Sequence, residues 1–223
     1  MNKELFFRAL AKFFAGLLLV AALLFLPAWT FHYPQAWLFL GILFIPMFGA
    51  GLVMMAKNPE LLRKRLDAKE EEREQKTVIL LSGIMFLAAF MIAGLNFRFK
   101  WFILPDWTVI IGTVVFLLAY AMYAEVLREN AYLSRTIEVQ EDQKVIDTGL
   151  YGIVRHPMYS ATLFLFISMG FVLASPISVA ILLLYIPIIA KRMKNEEKIL
   201  EEGLEGYTDY KKRVKYKVIP FVW

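Results

Sequence analysis

The sequence predicts an all-α integral membrane protein: a polytopic helical bundle of about six spans, with an amphipathic helix at its C-terminal cytoplasmic end. Of the 223 residues, 59% are hydrophobic, and the mean hydropathy of +0.56 is too high for an ordinary soluble domain. The apolar residues also fall into six runs, each close to the roughly 20 helical residues that cross a bilayer. The predicted spans are residues 10–31, 36–56, 77–95, 108–127, 158–174 and 177–190.

The distribution of lysine and arginine predicts that both termini lie in the cytoplasm. Basic residues concentrate before the first span, between spans two and three, between spans four and five, and after span six. The opposite loops hold only Arg98 and Lys100. Because short cytoplasmic loops are enriched in basic residues, we expect both termini to lie in the cytoplasm. We expect the protein to be a multi-pass protein of the cell membrane. The net charge of +5 then indicates contact with membrane lipids and does not imply nucleic acid.

We expect the chain to have two parts. Residues 1–127 would form N-terminal transmembrane helices, with a charged cytoplasmic connector at 57–76. Residues 128–223 would form a C-terminal region made of a cytoplasmic loop, a helical hairpin and a tail helix. The connector carries charges of both signs, which is typical of a solvated helix or linker on a membrane surface. A role in gating substrate is the alternative interpretation.

The composition excludes several kinds of site. The chain contains no cysteine, so disulfides, zinc–thiolate centres and thiol catalysis are excluded. Only two histidines are present, His32 and His156, so a poly-histidine metal site is excluded as well. We therefore predict no metal site.

The tripeptide Arg155-His156-Pro157 stands directly before the fifth span. Proline disfavours helical geometry in the residue before it and is favoured in the first helical turn, so a helix should begin at Pro157. The free N–H groups of a helix start bind anions, Arg155 adds a permanent charge, and Tyr159 adds a hydroxyl. The segment could therefore receive a carboxylate or phosphate. Alternatively, Arg155 extends to the membrane surface and Tyr159 belongs to an interfacial aromatic belt.

A second group of charged residues lies where the sixth span ends. At helical spacing the sequence there predicts one apolar stripe, formed by Ile189, Met193, Leu200 and Leu204. Glu196 falls in the middle of this stripe, whereas Glu197 lies toward its edge. Arg192 precedes Glu196 by four residues and is within pairing reach. Either the carboxylate of Glu196 faces a ligand, or it forms a structural ion pair with Arg192.

The order of motifs resembles the isoprenylcysteine carboxyl methyltransferase family, and the phospholipid N-methyltransferases share the same C-terminal pattern. The resemblance rests on GLYGIVRHPMY, an apolar hairpin, R-x-x-x-E-E and Y-x-x-Y, and it covers roughly residues 130–223. It implies a membrane-embedded enzyme that uses S-adenosylmethionine, with Arg192 and Glu196 at the catalytic centre. The cofactor-binding residues that it implies, by motif position, are Tyr151, Arg155, His156, Pro157, Tyr159, Glu197, Tyr207 and Tyr210.

The sequence therefore predicts methyl transfer to a lipid-like or membrane-embedded acceptor at the cytoplasmic face. The acceptor atom belongs either to a carboxylate, as in a prenylcysteine, or to an amine, and it would enter from the bilayer. Two alternatives remain open. One is a sterol-type membrane reductase that uses NADPH, because the family resembles the C-terminal part of such enzymes. The other is a non-enzymatic scaffold or lipid-binding protein.

Overall fold

The computed structural model of the chain describes residues 3–67, 73–130, 132 and 139–223. The regular elements in this part of the chain are helices, as the sequence predicted. They are α1 (Lys3–Ala28), α2 (Pro34–Lys57), α3 (Pro59–Asp67), α4 (Arg73–Phe99), α5 (Asp106–Glu129), a 3₁₀ turn (Gly149–Gly152), α6 (Pro157–Val172), α7 (Pro176–Leu182), α8 (Tyr185–Gly203) and α9 (Tyr207–Arg213).

Within the described residues, five helical segments are long and apolar enough to cross a membrane. They are Lys3–Ala28, Pro34–Lys57, Lys76–Phe99, Asp106–Glu129 and Pro176–Gly203. The remaining predicted span, the fifth, is represented by α6, which has only 16 residues. The predicted all-α membrane bundle is thereby confirmed. The last span and the tail helix form one segment, in which α8 carries apolar residues at its start and charged residues toward its end.

The helices contribute to two compact units. The first contains the described residues of 1–68, 83–114 and 167–183. Helices approach each other closely at Gly94, where a Cβ atom would lie 2.5 Å from the carbonyl oxygen of Leu24. A buried hydrogen bond from the hydroxyl of Tyr33 to the carbonyl of Leu173, 2.9 Å long, adds a polar tie. Close backbone contact and satisfied polar groups therefore add to the packing of the buried apolar side chains in this unit, as is typical of membrane helices.

The second unit contains the described residues of 69–82, 115–166 and 184–223. It includes the end of α5, the 3₁₀ turn, the start of α6, and all of α8 and α9. Its tail packs around an apolar cluster whose buried members are Leu204, Tyr207, Tyr210 and Val214. Every residue that the sequence predicted for the functional site belongs to this unit. The predicted division at residues 127 and 128 and the cytoplasmic orientation remain predictions.

Candidate active site

The Arg155-His156-Pro157 segment is held by the C-terminal tail. The backbone N–H of Arg155 donates to the carbonyl of Tyr216 at 2.9 Å, and that of His156 donates to the carbonyl of Lys217 at 2.8 Å. Helix α6 then begins at Pro157, as predicted. The tail thus pairs with the two residues before the proline, and proline cannot extend the pairing because it lacks an N–H.

The start of α6 has little capacity to hold an anion with its backbone. Proline contributes no N–H at the first position, and the N–H groups of Tyr159 and Ser160 both bond to the carbonyl of His156, at 3.0 and 3.1 Å. Only Met158 remains in the first turn. An anionic ligand at this end would therefore be bound mainly by side chains. The anion binding by free backbone N–H groups that is typical of a helix N-terminus contributes little here.

Glu197 is the centre of a buried charge network. Its Oε1 accepts from Nε of Arg155 at 2.8 Å and lies 3.2 Å from Nε2 of His156, while its Oε2 lies 2.8 Å from Nζ of Lys217. The side chains of Arg155, His156 and Glu197 are 5%, 4% and 6% exposed. Nη1 of Arg155 also donates to the carbonyls of Val214 and Lys215. Most donors of this arginine are therefore used within the protein, which compensates the buried charge.

The position of Glu197 differs from the sequence prediction. We expected Glu196 in the middle of the apolar stripe and Glu197 at its edge. In the structure the buried line on α8 runs through Ile189, Met193 and Glu197, whereas Glu196 is only half-buried. The reason is that Arg155 and the tail lysine, Lys217, pack against this face and supply partners for a carboxylate. Helical periodicity alone does not reveal such long-range partners.

Arg192 and Glu196 are linked by the hydroxyl of Tyr159. Nε of Arg192 donates to this hydroxyl at 3.0 Å, and the hydroxyl donates to Oε2 of Glu196 at 2.5 Å. Tyr159 is buried, and its ring stacks on that of His156 with 5.5 Å between centroids. The two residues predicted to be catalytic are thus brought together, and a side chain predicted to bind cofactor fixes their relative position.

Three further tyrosines of the predicted cofactor-binding set lie together. The hydroxyl of Tyr210 donates to the carbonyl of Tyr151 at 2.8 Å, and the Tyr207 and Tyr210 rings are 5.7 Å apart. Burial raises the pKa of Tyr151 to about 12 and raises those of Tyr207 and Tyr210 further above the usual value of a tyrosine. All three therefore remain neutral hydrogen-bond donors at physiological pH. Among the residues that the structure describes, the buried hydroxyl of Tyr207 has no hydrogen-bond partner.

Glu129 is a structural determinant of the site that the sequence reasoning did not single out. Its Oε2 accepts from the backbone N–H of Leu150 at 3.1 Å. Gly149 has a φ of +50°, and a Cβ there would lie 1.5 Å from Oε1 of Glu129. Next to it, Nδ2 of Asn130 donates to the Tyr151 hydroxyl at 2.9 Å. In the sequence, Glu129 and Asn130 are two polar residues at the end of an apolar span, and such residues are found at the end of any ordinary membrane helix.

An open pocket of about 830 Å³, including space continuous with solvent, lies within the second unit. Its wall contains most of the predicted site residues, namely Tyr151, Arg155, His156, Tyr159, Arg192, Glu196, Tyr207 and Tyr210. Lys144 adds an exposed cation to this wall. Pro157 and Glu197 do not line the pocket and instead support residues that do. The arrangement therefore presents one half-buried carboxylate, several cations and aromatic surfaces to a single space.

Comparisons with known proteins concern the family and the fold of the chain. Residues 109–202 match the model of the isoprenylcysteine carboxyl methyltransferase (ICMT) family. A similar solved structure is that of the eukaryotic intramembrane Ras methyltransferase ICMT, with a TM-score of 0.58 and 18% sequence identity. The alignment covers 92% of this chain and 74% of that chain, and at this identity it shows a shared fold. No curated protein sequence matches. The family match includes the Arg155 segment and Glu197 but ends before Tyr207 and Tyr210.

Proposed function

We propose that this chain, a membrane methyltransferase of the ICMT family, transfers a methyl group from S-adenosylmethionine to a lipid-like acceptor, with Arg192 and Glu196 as catalytic residues. The observation that carries the proposal is the Arg192–Tyr159–Glu196 bridge on the wall of the same pocket as Arg155 and His156. The bridge holds a permanent cation and a half-buried carboxylate together on one pocket wall, which supports a role for both in positioning the reactants.

The residues of the pocket fit the functional groups of S-adenosylmethionine. Its carboxylate can pair with a cation of the wall, for which Arg155, Arg192 and Lys144 are the candidates. Its adenine can pack on the aromatic surfaces of Tyr207 and Tyr210. The hydroxyl of Tyr207, which has no partner among the described residues, fits an acceptor atom of a bound ligand. Glu196 provides negative charge for the positively charged end of the cofactor.

The bound cofactor would supply an activated methyl group, so the protein's contribution is positioning and management of charge. Arg192 would orient an anionic acceptor, and Tyr159 would keep Arg192 and Glu196 in a fixed relation. If the acceptor is a carboxylate, it needs no general base. If the acceptor is an amine, Glu196 is the candidate to take its proton.

A lipid-like acceptor is supported by the elements that carry the site. Tyr159 lies on α6 and Arg192 on α8, and both helices have apolar runs directly next to these residues. A molecule held by its polar end at Arg192 can leave its apolar part in the bilayer. The solved relative is described as a Ras methyltransferase. For this chain we propose entry of the acceptor from the bilayer, a pocket on the cytoplasmic side and both termini in the cytoplasm.

The test is a methyl-transfer assay on protein in lipid nanodiscs, with methyl-labelled S-adenosylmethionine. An S-prenylated N-acylcysteine offers a carboxylate, and phosphatidylethanolamine offers an amine. We expect label in one of the two products, and we expect Arg192→Ala and Glu196→Gln each to reduce the rate at least about 100-fold. Glu202→Gln, on the same helix but 67% exposed, is the matched control and should keep full activity. Equal rates for all four proteins would contradict the assignment of Arg192 and Glu196.

A further inference from the structure

The segment after α9 does two things in succession. Residues 214–217 supply backbone carbonyls to Arg155 and His156. Residues 219–223, which we name the tail loop, then turn back on themselves. The N–H groups of Val222 and Trp223 bond to the carbonyl of Ile219, and the N–H groups of residues 217–219 converge on the carbonyl of Trp223. The tail loop is therefore a compact, internally bonded structure.

Two large apolar side chains project from the tail loop. Phe221 is 86% exposed and Val222 is 78% exposed, whereas Val218, just before the loop, is 2% exposed. Phe221 has a φ of +64°, a left-handed conformation that aromatic L residues rarely adopt. Its ring contacts Tyr216 at 5.1 Å between centroids and is otherwise open. The loop thus accepts backbone strain while it keeps apolar surface outside the protein, which indicates a partner surface.

The tail loop lies beside the start of an apolar helix. The hydroxyl of Ser160 donates to the carbonyl of Val218 at 2.6 Å. Ser160 is in the first turn of α6, whose 16 residues are almost all apolar. If α6 enters the bilayer at its first turn, as the sequence predicts, the tail loop lies at that level, and its exposed apolar side chains would face lipid.

The charges that precede the tail loop indicate which lipid surface it meets. Residues 211–217 contain five cations, and residues 211–223 contain no acidic residue. Lys215 is exposed, and Lys212 and Arg213 are exposed as well. A basic segment followed by projecting apolar side chains binds anionic headgroups through the charges and the acyl boundary through the apolar groups.

We propose that the tail loop inserts into the boundary between headgroups and acyl chains of an anionic bilayer, and that this insertion holds the tail against Arg155 and His156. The first part goes beyond the proposed methyl transfer and does not depend on it. The second part rests on the proposed function, because it makes the affinity for cofactor depend on lipid. The link is direct, since the carbonyls of residues 214–217 bond to the two residues at the pocket wall.

The absence of cysteine allows a direct test of insertion. Val222→Cys carries a nitroxide label in nanodiscs that contain phosphatidylglycerol, and its collision rates with oxygen and with a water-soluble nickel chelate are measured. Asp209→Cys is the matched control, because the side chain of Asp209 is also 78% exposed but is polar and outside the tail loop. We expect high oxygen and low nickel accessibility at position 222 and the reverse at 209. Equal, water-like values at both positions would overturn the proposal, and spin–spin coupling between copies would assign the surface to self-association instead.

The link to the pocket is tested by the affinity for S-adenosylhomocysteine. Phe221→Ser combined with Val222→Ser should weaken binding roughly three- to tenfold in nanodiscs with phosphatidylglycerol. Leu118→Ser, which changes an exposed apolar residue on the predicted span α5, controls for a general loss of lipid contact and should not weaken binding. Unchanged affinity in the double variant would overturn the coupling. If the unchanged protein binds no S-adenosylhomocysteine at all, the proposed function fails, while the label at position 222 still decides insertion.

Discussion

The same substitution, glutamate to glutamine, should lower mainly the stability of the protein at Glu197 and mainly its activity at Glu196. Glu197→Gln removes a charge that is surrounded by Arg155, His156 and Lys217, all within 3.2 Å. The side chain of Arg155 is only 5% exposed, so its charge would remain buried without a counter-ion. Glu196→Gln changes a half-buried carboxylate at the pocket wall, where water can reach it.

Breaking one side of a buried ion pair costs about 3–5 kcal/mol, because the remaining charge is uncompensated. For a chain of this size, each kcal/mol lowers the unfolding midpoint by roughly 2–4 °C, so Glu197→Gln should lower it by about 10 °C. Glu196→Gln should lower it by at most about 2 °C, since the glutamine can still accept the Tyr159 hydrogen bond. Glutamine is nearly isosteric with glutamate, so neither variant adds a cavity.

The assay is thermal unfolding of the two purified variants in the same nanodiscs, followed by tryptophan fluorescence, with methyl transfer measured on the same samples. We expect Glu197→Gln to lose stability and Glu196→Gln to lose activity at near-normal stability. Similar unfolding midpoints for the two variants would refute the reasoning that Glu197 is the buried counter-ion. A larger loss for Glu196→Gln would refute it as well.

Three further predictions follow from the geometry. Tyr159→Phe removes the hydroxyl between Arg192 and Glu196, so kcat should fall about 10- to 100-fold while the affinity for S-adenosylhomocysteine, measured by calorimetry, stays within about twofold. An equal loss in both quantities would contradict a positioning role. Gly149→Ala places a Cβ against Glu129 at a positive φ and should therefore destabilise the protein. Gly49→Ala, with open space around the added Cβ, should not. The free energy of unfolding of both variants is measured by chemical denaturation. Burial raises the pKa of Tyr151 from 10.0 to about 12, so the folded state retains a proton that the unfolded state loses, and stability should fall as the pH rises from about 10 to 12. Tyr151→Phe should make this slope shallower in a pH series of unfolding midpoints, while Tyr207 and Tyr210 still contribute to it, and an unchanged slope would contradict the role of Tyr151.

The fold was predictable because the apolar composition and the length of a membrane helix can be read directly from the sequence. The six apolar runs, the start of α6 at Pro157 and the short fifth span all follow from local rules that involve only neighbouring residues. The break between α7 and α8 did not follow, because the run around Leu183 and Leu184 is as apolar as the rest of the span.

Most residues that line the pocket were named from the sequence, but their contacts were not predictable, and their functional roles remain predictions. Motif order identified Arg192, Glu196 and the residues around Pro157, and the structure brings them to one pocket. The burial of Glu197 in place of Glu196 was not predictable, because it depends on Arg155 and Lys217, which are distant in sequence. The ion pair between Arg155 and Glu197 was not predictable for the same reason, because the two residues are distant in sequence. Periodicity describes which face of a helix is apolar, but it does not show what packs against that face.

The proposed binding of S-adenosylmethionine in the pocket of the second unit can be measured by calorimetric titration with S-adenosylhomocysteine. We expect saturable binding to the unchanged protein, weaker binding to His156→Ala, and no binding of NADPH in a parallel titration. Binding of NADPH alone would rule out the proposed methyl transfer in favour of a membrane reductase. Binding of neither compound would rule it out in favour of a non-enzymatic scaffold or lipid-binding protein.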